Sequence, residues 1–125
     1  MRHENFPDAQ TYQIIGAAMT VHTELGCGFL ERVYKAALRL EFKDRGIEFR
    51  KEVVLPIEYK KRSLDVNYKA DFLCWEQVVI EVKAADAIHD RHVAQLINYL
   101  KASQLKRGLV LNFGAASLQH RRVVN

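Results

Sequence analysis

Apolar positions change period twice along the chain, and each change marks a new kind of element. From about Asp8 to Leu25, Ile14, Ala18, Val21 and Leu25 recur at i, i+4, i+7 and i+11, one stripe of a helix. Gly26-Cys27-Gly28 interrupts it, with Gly26 suited to the left-handed position after a helix end. The spacing predicts a second helix from about Leu30 to Arg45, with Leu30, Val33, Ala37 and Leu40 as its buried stripe and Gly46 as its stop. Glu31 falls in its first turn, where a carboxylate suits the helix dipole.

The period then drops to two. Val53, Leu55, Ile57 and Tyr59 alternate with Glu52, Val54, Pro56 and Glu58, which predicts a strand. Lys60-Lys61-Arg62-Ser63 reads as its turn. The following strand places Leu64, Val66, Tyr68, Ala70, Phe72 and Cys74 on one face and Asp65, Asn67, Lys69 and Asp71 on the other. Val78–Lys83 is nearly continuous in apolar residues, as a central strand is. A helix is predicted from about Ala87 to Ser103, packing through Val93, Leu96, Ile97 and Leu100. Arg107–Phe113 reads as a buried strand, and because a helical crossover precedes it, it should run parallel to Val78–Lys83. Gln119–Asn125, basic then apolar, suits a short edge strand. The expected architecture is α/β, a mixed sheet with helices against its faces.

Length and composition narrow the class. A chain of 125 residues without repeat or linker is expected to form a single domain with its own core. Its 49% hydrophobic and 27% charged residues are those of an ordinary globular protein, so neither disorder nor a disulfide scaffold is expected. No apolar run approaches the ~20 residues of a membrane span, so no membrane partner is expected. MRHENFPDAQ lacks the apolar core of a signal peptide, which points to the cytoplasm. Cys27 and Cys74 are too few for a four-cysteine metal site and read as reduced packing residues. A net charge of +4 tolerates nucleic acid without requiring it.

The candidate chemistry lies in Ala70–Ala84, ADFLCWEQVVIEVKA. On a strand Glu81 and Lys83 share a face while Val82 points away. A carboxylate and an ammonium on a mostly apolar strand are costly to desolvate and are usually kept for a pair, a metal or a reaction. E-x-K is also a common solvent-facing pair, although the flanking Val78-Val79-Ile80 makes an open face less natural. Register decides whether Asp71 can join them. A two-residue turn at Glu76-Gln77 would pair Asp71 with Val82 and turn it from Glu81. An odd loop (Trp75–Gln77, or Glu76–Val78) or a bulge would bring Asp71, Glu81 and Lys83 together. Two carboxylates with remaining water or phosphate positions suit Mg²⁺ or Mn²⁺ better than zinc. A neighbouring lysine can orient or help deprotonate an attacking water, or stabilise charge on a phosphate.

Asp71, the gap and Glu81-x-Lys83 resemble the signature of PD-(D/E)XK nucleases, whose fold is that of restriction endonucleases. Gly28-Phe-Leu-Glu31-Arg-Val-Tyr34 is similar to the motif of the bacterial GxxExxY proteins, a branch of that superfamily. The likeness runs from about Ile14 to Val124 and includes Val21-His22, Leu25-Gly26, Tyr34–Leu38, His92–Leu100 and Gly108–Gly114. Ala70 stands where the signature has proline. The resemblance implies a three-layer α/β/α sandwich with a mixed central sheet, and an Mg²⁺- or Mn²⁺-dependent nuclease acting on nucleic acid, with DNA expected. It implies that Glu31, Asp71, Glu81 and the Val82 carbonyl hold the metal, that Lys83 positions or activates water, and that Gln95 supports the site. His22, Tyr34, His92 and Tyr99 are candidates for supporting those residues from behind.

Each has an ordinary alternative. Glu31 is a dipole-favourable residue in any helix, Gln95 and Tyr99 can be half-buried helix residues, and His22 can be a satisfied helix histidine. His89 and His92 lack the i, i+4 spacing of a zinc pair. Arg50-Lys51, Lys60-Lys61-Arg62, Lys106-Arg107 and Arg121-Arg122 are scattered and would track phosphates only if several converge near Asp71. No base-reading element is visible. A homodimer would let so small a chain enclose a duplex. A nuclease-like fold kept for nucleic-acid or protein binding, and a hydrolase of small phosphoesters, are the rival readings.

Overall fold

The computed structural model describes residues 8–125. Helices α1 (Ala9–Leu25) and α2 (Glu31–Asp44) precede strands β1 (Phe49–Tyr59), β2 (Arg62–Cys74) and β3 (Val78–Lys83). Helix α3 (Asp90–Ser103) and strands β4 (Arg107–Asn112) and β5 (Gln119–Val124) complete the chain. The sheet order is β1-β2-β3-β4-β5, antiparallel except for β3 and β4. The α3 crossover between those two strands enforces the parallel pair, as expected from the sequence.

Two apolar layers cover the sheet. Ile14, Ala18 and Val21 of α1 and Leu38 and Phe42 of α2 pack on Phe72, Ile80, Val82, Leu109 and Phe113. Leu96 and Leu100 of α3 pack on Val53, Leu55, Leu73, Val79 and Val110 of the opposite face. The result is the expected three-layer α/β/α sandwich around a mixed sheet.

The start of α1 is fixed by Asp8, whose side chain caps the helix by accepting from the Thr11 N–H at 2.7 Å. The same carboxylate accepts from Arg107 at 2.7 Å and Arg122 at 3.0 Å, tying α1 to β4 and β5. Between α1 and α2 the chain reverses through Gly26, whose φ of 71° suits glycine. The Tyr34 hydroxyl donates to the Gly26 carbonyl at 2.6 Å and accepts from the Phe29 N–H at 3.2 Å. Its ring stacks on Phe113 with centroids 4.8 Å apart, so one side chain closes the turn and anchors it to the sheet.

Several local expectations change. The buried stripe of α2 is Tyr34, Leu38 and Phe42, whereas Leu30 and Leu40 are exposed. Both sets have helical spacing, and the aromatic one buries the larger area. Helix α3 starts at Asp90 rather than near Ala87, because residues 84–89 are held as a loop. Asn112 fastens that loop, accepting from the Ala85 N–H at 2.8 Å and donating to the Ala85 carbonyl at 3.0 Å. Gly114 packs so closely there that a Cβ would lie 2.2 Å from the Ala85 oxygen. Cys27 is exposed and fills no core, while Cys74 is buried, which raises its thiol to about 12.

Strand β2 departs furthest from simple alternation. Leu64 and Val66 are exposed, and Ala70 packs on the α3 side while Phe72 packs on the α1–α2 side. Residues two apart should share a face, so the strand turns over at Asp71. The adjoining strand is irregular at the same place. The β1 ladder pairs Lys51 with Phe72 and Val53 with Ala70, and Glu52 between them has a φ of 51°.

Burial acts to raise Asp8, but the Thr11 N–H and the Arg107 and Arg122 guanidiniums outweigh it and hold the carboxyl well below its usual range. A depressed carboxyl stabilises the fold above its ordinary value of 3.8 and loses that contribution as pH falls below it. Asp8→Ala should therefore lower stability at neutral pH by about 2 kcal/mol, a cap plus two partly exposed ion pairs. Urea titrations should show the gap to wild type closing in acid; a gap constant with pH would contradict the role given to the charge.

Candidate active site

The turn between β2 and β3 decides the geometry. Cys74 pairs with Val78, Leu73 with Val79 and Phe72 with Ile80, which leaves the three-residue loop Trp75–Gln77. Trp75 and Glu76 take left-handed conformations, φ 53° and 55°. Of the two odd loops and the bulge that would let Asp71 and Glu81 meet, the chain forms the Trp75–Gln77 loop. Continuing the register by one pair sets Asp71 opposite Glu81.

At that pair the side chains take over from the backbone ladder. Glu81 Oε2 accepts from the Asp71 N–H at 3.0 Å, and Asp71 Oδ2 accepts from the Val82 N–H at 2.8 Å. Each carboxylate thus satisfies a backbone donor of the facing strand. The reversal at Asp71 directs its carboxylate into this gap. Glu81 is 4% exposed, enclosed between β2 and α3.

Lysines flank the pair. Lys83, two residues beyond Glu81, reaches toward α3 and donates to Gln95 Oε1 at 3.1 Å. From α2, Lys35 donates to Asp71 Oδ1 at 3.0 Å and lies 3.7 Å from Glu31 Oε1. Glu31 therefore meets Asp71 only through the Lys35 ammonium, and its own side chain is 43% exposed. Among the described residues, no three of His, Cys, Asp or Glu are gathered closely enough to chelate a metal.

Burial, then the Asp71 charge, push Glu81 well above the usual carboxylate range; the Asp71 N–H, Lys83 and Lys35 only partly oppose them. Burial works against the Lys35 charge, yet its bond to Asp71 and the charges of Asp71, Glu31 and Glu81 raise it overall. The cations beside the pair are the Lys35 ammonium, 3.0 Å from Asp71, and the Lys83 ammonium. The carboxylates are hard oxygen donors, which match Mg²⁺ or Mn²⁺ in chemistry.

The remaining candidates divide. Gln95 and Tyr99 lie one turn apart on α3, and the Tyr99 ring stacks on Tyr68 at 4.9 Å. Burial, followed by the Glu81 and Asp71 charges, raises the Tyr99 phenol to about 12. His92 belongs to the start of α3, its Nδ1 accepting from the His89 N–H at 3.0 Å. Burial, then the Lys83 and Arg91 charges, lower its pKa. His22 Nε2 sits 3.0 Å from the Ala115 carbonyl, with its ring 6.3 Å from that of Phe113. His22 and Tyr34 thus spend their polar atoms on backbone that fixes the α1–α2 layer.

The basic groups do not converge as a whole. Arg50 pairs with Glu76, Arg107 and Arg122 with Asp8, and Lys60 and Lys61 form the two-residue tip of the β1–β2 hairpin. Only Lys51 approaches Asp71, in a cavity that it shares with Arg32, Lys35 and Arg39 of α2. Lys35 was not among the residues expected at the site. Its signal is the spacing Arg32, Lys35, Arg39 along one helix face, the same face that carries Glu31.

A five-stranded mixed sheet with helices on both faces and a carboxylate pair between diverging strands defines a restriction-endonuclease-like α/β domain. That fold is shared with the solved protein SSO0001, at a TM-score of 0.60 and 16% identity over 75% of this chain and 49% of that one. This chain spans about half the length of that protein, and a likeness at such identity concerns the fold alone. No curated protein matches the sequence. The model of the PD-(D/E)XK nuclease superfamily matches residues 8–123, and the chain belongs to that superfamily. It is accordingly nuclease-like, in a superfamily that acts on nucleic acid and usually employs divalent metals. No helix among the described residues is long and apolar enough to cross a membrane.

The raised Glu81 gives a signed prediction. Between glutamate's ordinary 4.5 and its raised value, the fold holds a proton that the unfolded chain has lost. Stability contributed at low pH is then lost as pH rises through that interval. In metal-free buffer, wild type should lose stability relative to Glu81→Gln as pH rises, measured by paired denaturant titrations. Parallel curves would refute it.

Proposed function

We propose that the chain is an Mg²⁺-dependent nuclease, able to use Mn²⁺, that hydrolyses phosphodiester bonds of nucleic acid, with DNA as its substrate. The observation carrying this reading is the Asp71–Glu81 pair across the splayed β2–β3 gap, with Lys83 two residues on and held by Gln95. Asp71, Glu81 and the Val82 carbonyl would hold the ion, joined by Glu31 once the Lys35 ammonium swings aside. A bound divalent ion would polarise the phosphoryl oxygen and acidify an attacking water. Lys83, oriented by Gln95, steers that water and offsets negative charge on the phosphate. The rigid sheet and α3 hold these groups before substrate arrives. The Gly28–Tyr34 motif supports a place in the GxxExxY branch. A cytoplasmic protein acting as a homodimer around duplex fits the same reading.

A second reading, a silent nuclease-like module for binding nucleic acid or protein, is favoured by Lys35. Its ammonium lies between Asp71 and Glu31 and supplies positive charge without a metal.

Two measurements separate the readings. Single- and double-stranded DNA should be cleaved only with Mg²⁺ or Mn²⁺, and Lys83→Ala should slow cleavage by about a hundredfold or more while Gln95→Ala costs about tenfold. Equal rates for wild type and Lys83→Ala would remove catalysis from this site. Calorimetric titration of the metal-free protein with Mg²⁺ or Mn²⁺ should give a saturable heat change, and Asp71→Asn should abolish it; silence with both ions in wild type would leave the binding module.

A further inference from the structure

Beside Asp71, on the α1–α2 side, lies a cavity of about 230 Å³ lined in part by Arg32, Lys35 and Arg39 of α2, Lys51 and Glu52 of β1, and Asp71 itself. Lys35 is committed to Asp71 and Glu31, and Glu52 lies 3.5 Å from Lys69. Arg32, Arg39 and Lys51 make no ion pair or side-chain hydrogen bond with any described residue. Three uncommitted cations thus face one hollow whose wall is a carboxylate of the candidate active site. Cations grouped without partners repel one another, an arrangement that an anion relieves.

The spacing suits a chain of anions better than one. Arg32 and Arg39 are seven residues apart on α2, about 10 Å along the axis. That span exceeds the axial advance of a nucleic-acid strand per phosphate, ~3.4 Å, so it reaches more than one phosphate. Guanidiniums match phosphate in a two-pronged geometry, and Lys51 adds a point charge from the sheet side. Lys51 faces this side by ordinary strand alternation, two residues from Phe49 and opposite Phe72, both of which pack toward α1 and α2.

We infer that Arg32, Arg39 and Lys51 form a subsite for backbone phosphates of the substrate strand next to the bond placed at Asp71 and Glu81. The inference rests on the nuclease reading for what lies at Asp71, but binding alone tests it. The strand runs along α2, its phosphates against these three side chains. The Lys60-Lys61 tip, at the far end of the β1–β2 hairpin, is not part of this track.

The test is the salt dependence of binding of fluorescein-labelled duplex DNA and of its single strand, read by anisotropy in chelator, where no metal-dependent cleavage occurs. Arg32→Ala/Arg39→Ala/Lys51→Ala should reduce the slope of log affinity against log salt by about two to three and weaken low-salt binding at least tenfold, for one or both probes. Lys51→Ala alone, at an exposed position, should remove about one from the slope and serves if the triple variant melts early. Arg39→Lys should restore most of the slope lost in Arg39→Ala. Wild-type slopes in these variants, or loss of slope in Lys60→Ala/Lys61→Ala instead, would overturn the assignment. Cleavage by wild type bears only on the nuclease reading, so the two can fail separately.

Discussion

Two carboxylates are held at a place where a sheet would ordinarily make backbone hydrogen bonds, and much of the domain exists to keep them there. Asp71 and Glu81 satisfy N–H groups of each other's strands, so the ladder can open without orphaned donors. Keeping Glu81 buried beside Asp71 is unfavourable in isolation. It persists because β3 is packed on both faces, with Val79 under α3 and Ile80 and Val82 under α1 and α2. The parallel β3–β4 pair extends through Lys83 and Asn112, so the strand that opens on one side is fully laddered on the other.

The helical layers serve the same end by different means. On one side Tyr34, His22 and Phe113 form a stacked group whose polar atoms close the α1–α2 turn and the loop after β4. This sets the height of α2 over the sheet, and hence the reach of Lys35 to Asp71. On the other side α3 presents Gln95 to Lys83 and packs Tyr99 against Tyr68. Positive charge therefore reaches the carboxylates from α2 through Lys35 and from the sheet itself through Lys83, which offsets part of the cost of the acidic pair.

Much of this could be read from the chain because it depends on short-range pattern. The meander of the first three strands and the crossover before Arg107–Asn112 follow from periodicity, and parity limited the β2–β3 turn to an odd loop or a bulge if Asp71 and Glu81 were to meet, without choosing between them. What escaped depends on neighbours distant in sequence. The choice between the two stripes of α2 is made by the aromatic surface awaiting it on the sheet, which favours Tyr34 and Phe42 over Leu30 and Leu40. The reversal of β2 at Asp71 coincides with the positive φ of Glu52 on the adjoining strand, and nothing in Tyr68–Cys74 announces it. The role of Lys35 becomes visible only once α2 and β2 are adjacent, and the late start of α3 reflects Asn112 fastening a loop that looks helical by composition.

The β1–β2 hairpin extends past the part of β2 that pairs with β3, so the domain presents a long outer strand whose far edge has no partner among the described residues. Such an edge is an open template on which a second chain can add strands and begin to aggregate. Here it is repeatedly broken. Glu52 twists out of strand conformation, Pro56 lacks an N–H, and the register slips between Pro56 and Glu58. No long flat run of donors and acceptors survives for another strand to copy. The kink beside Asp71 therefore also spoils the edge for the addition of a further strand.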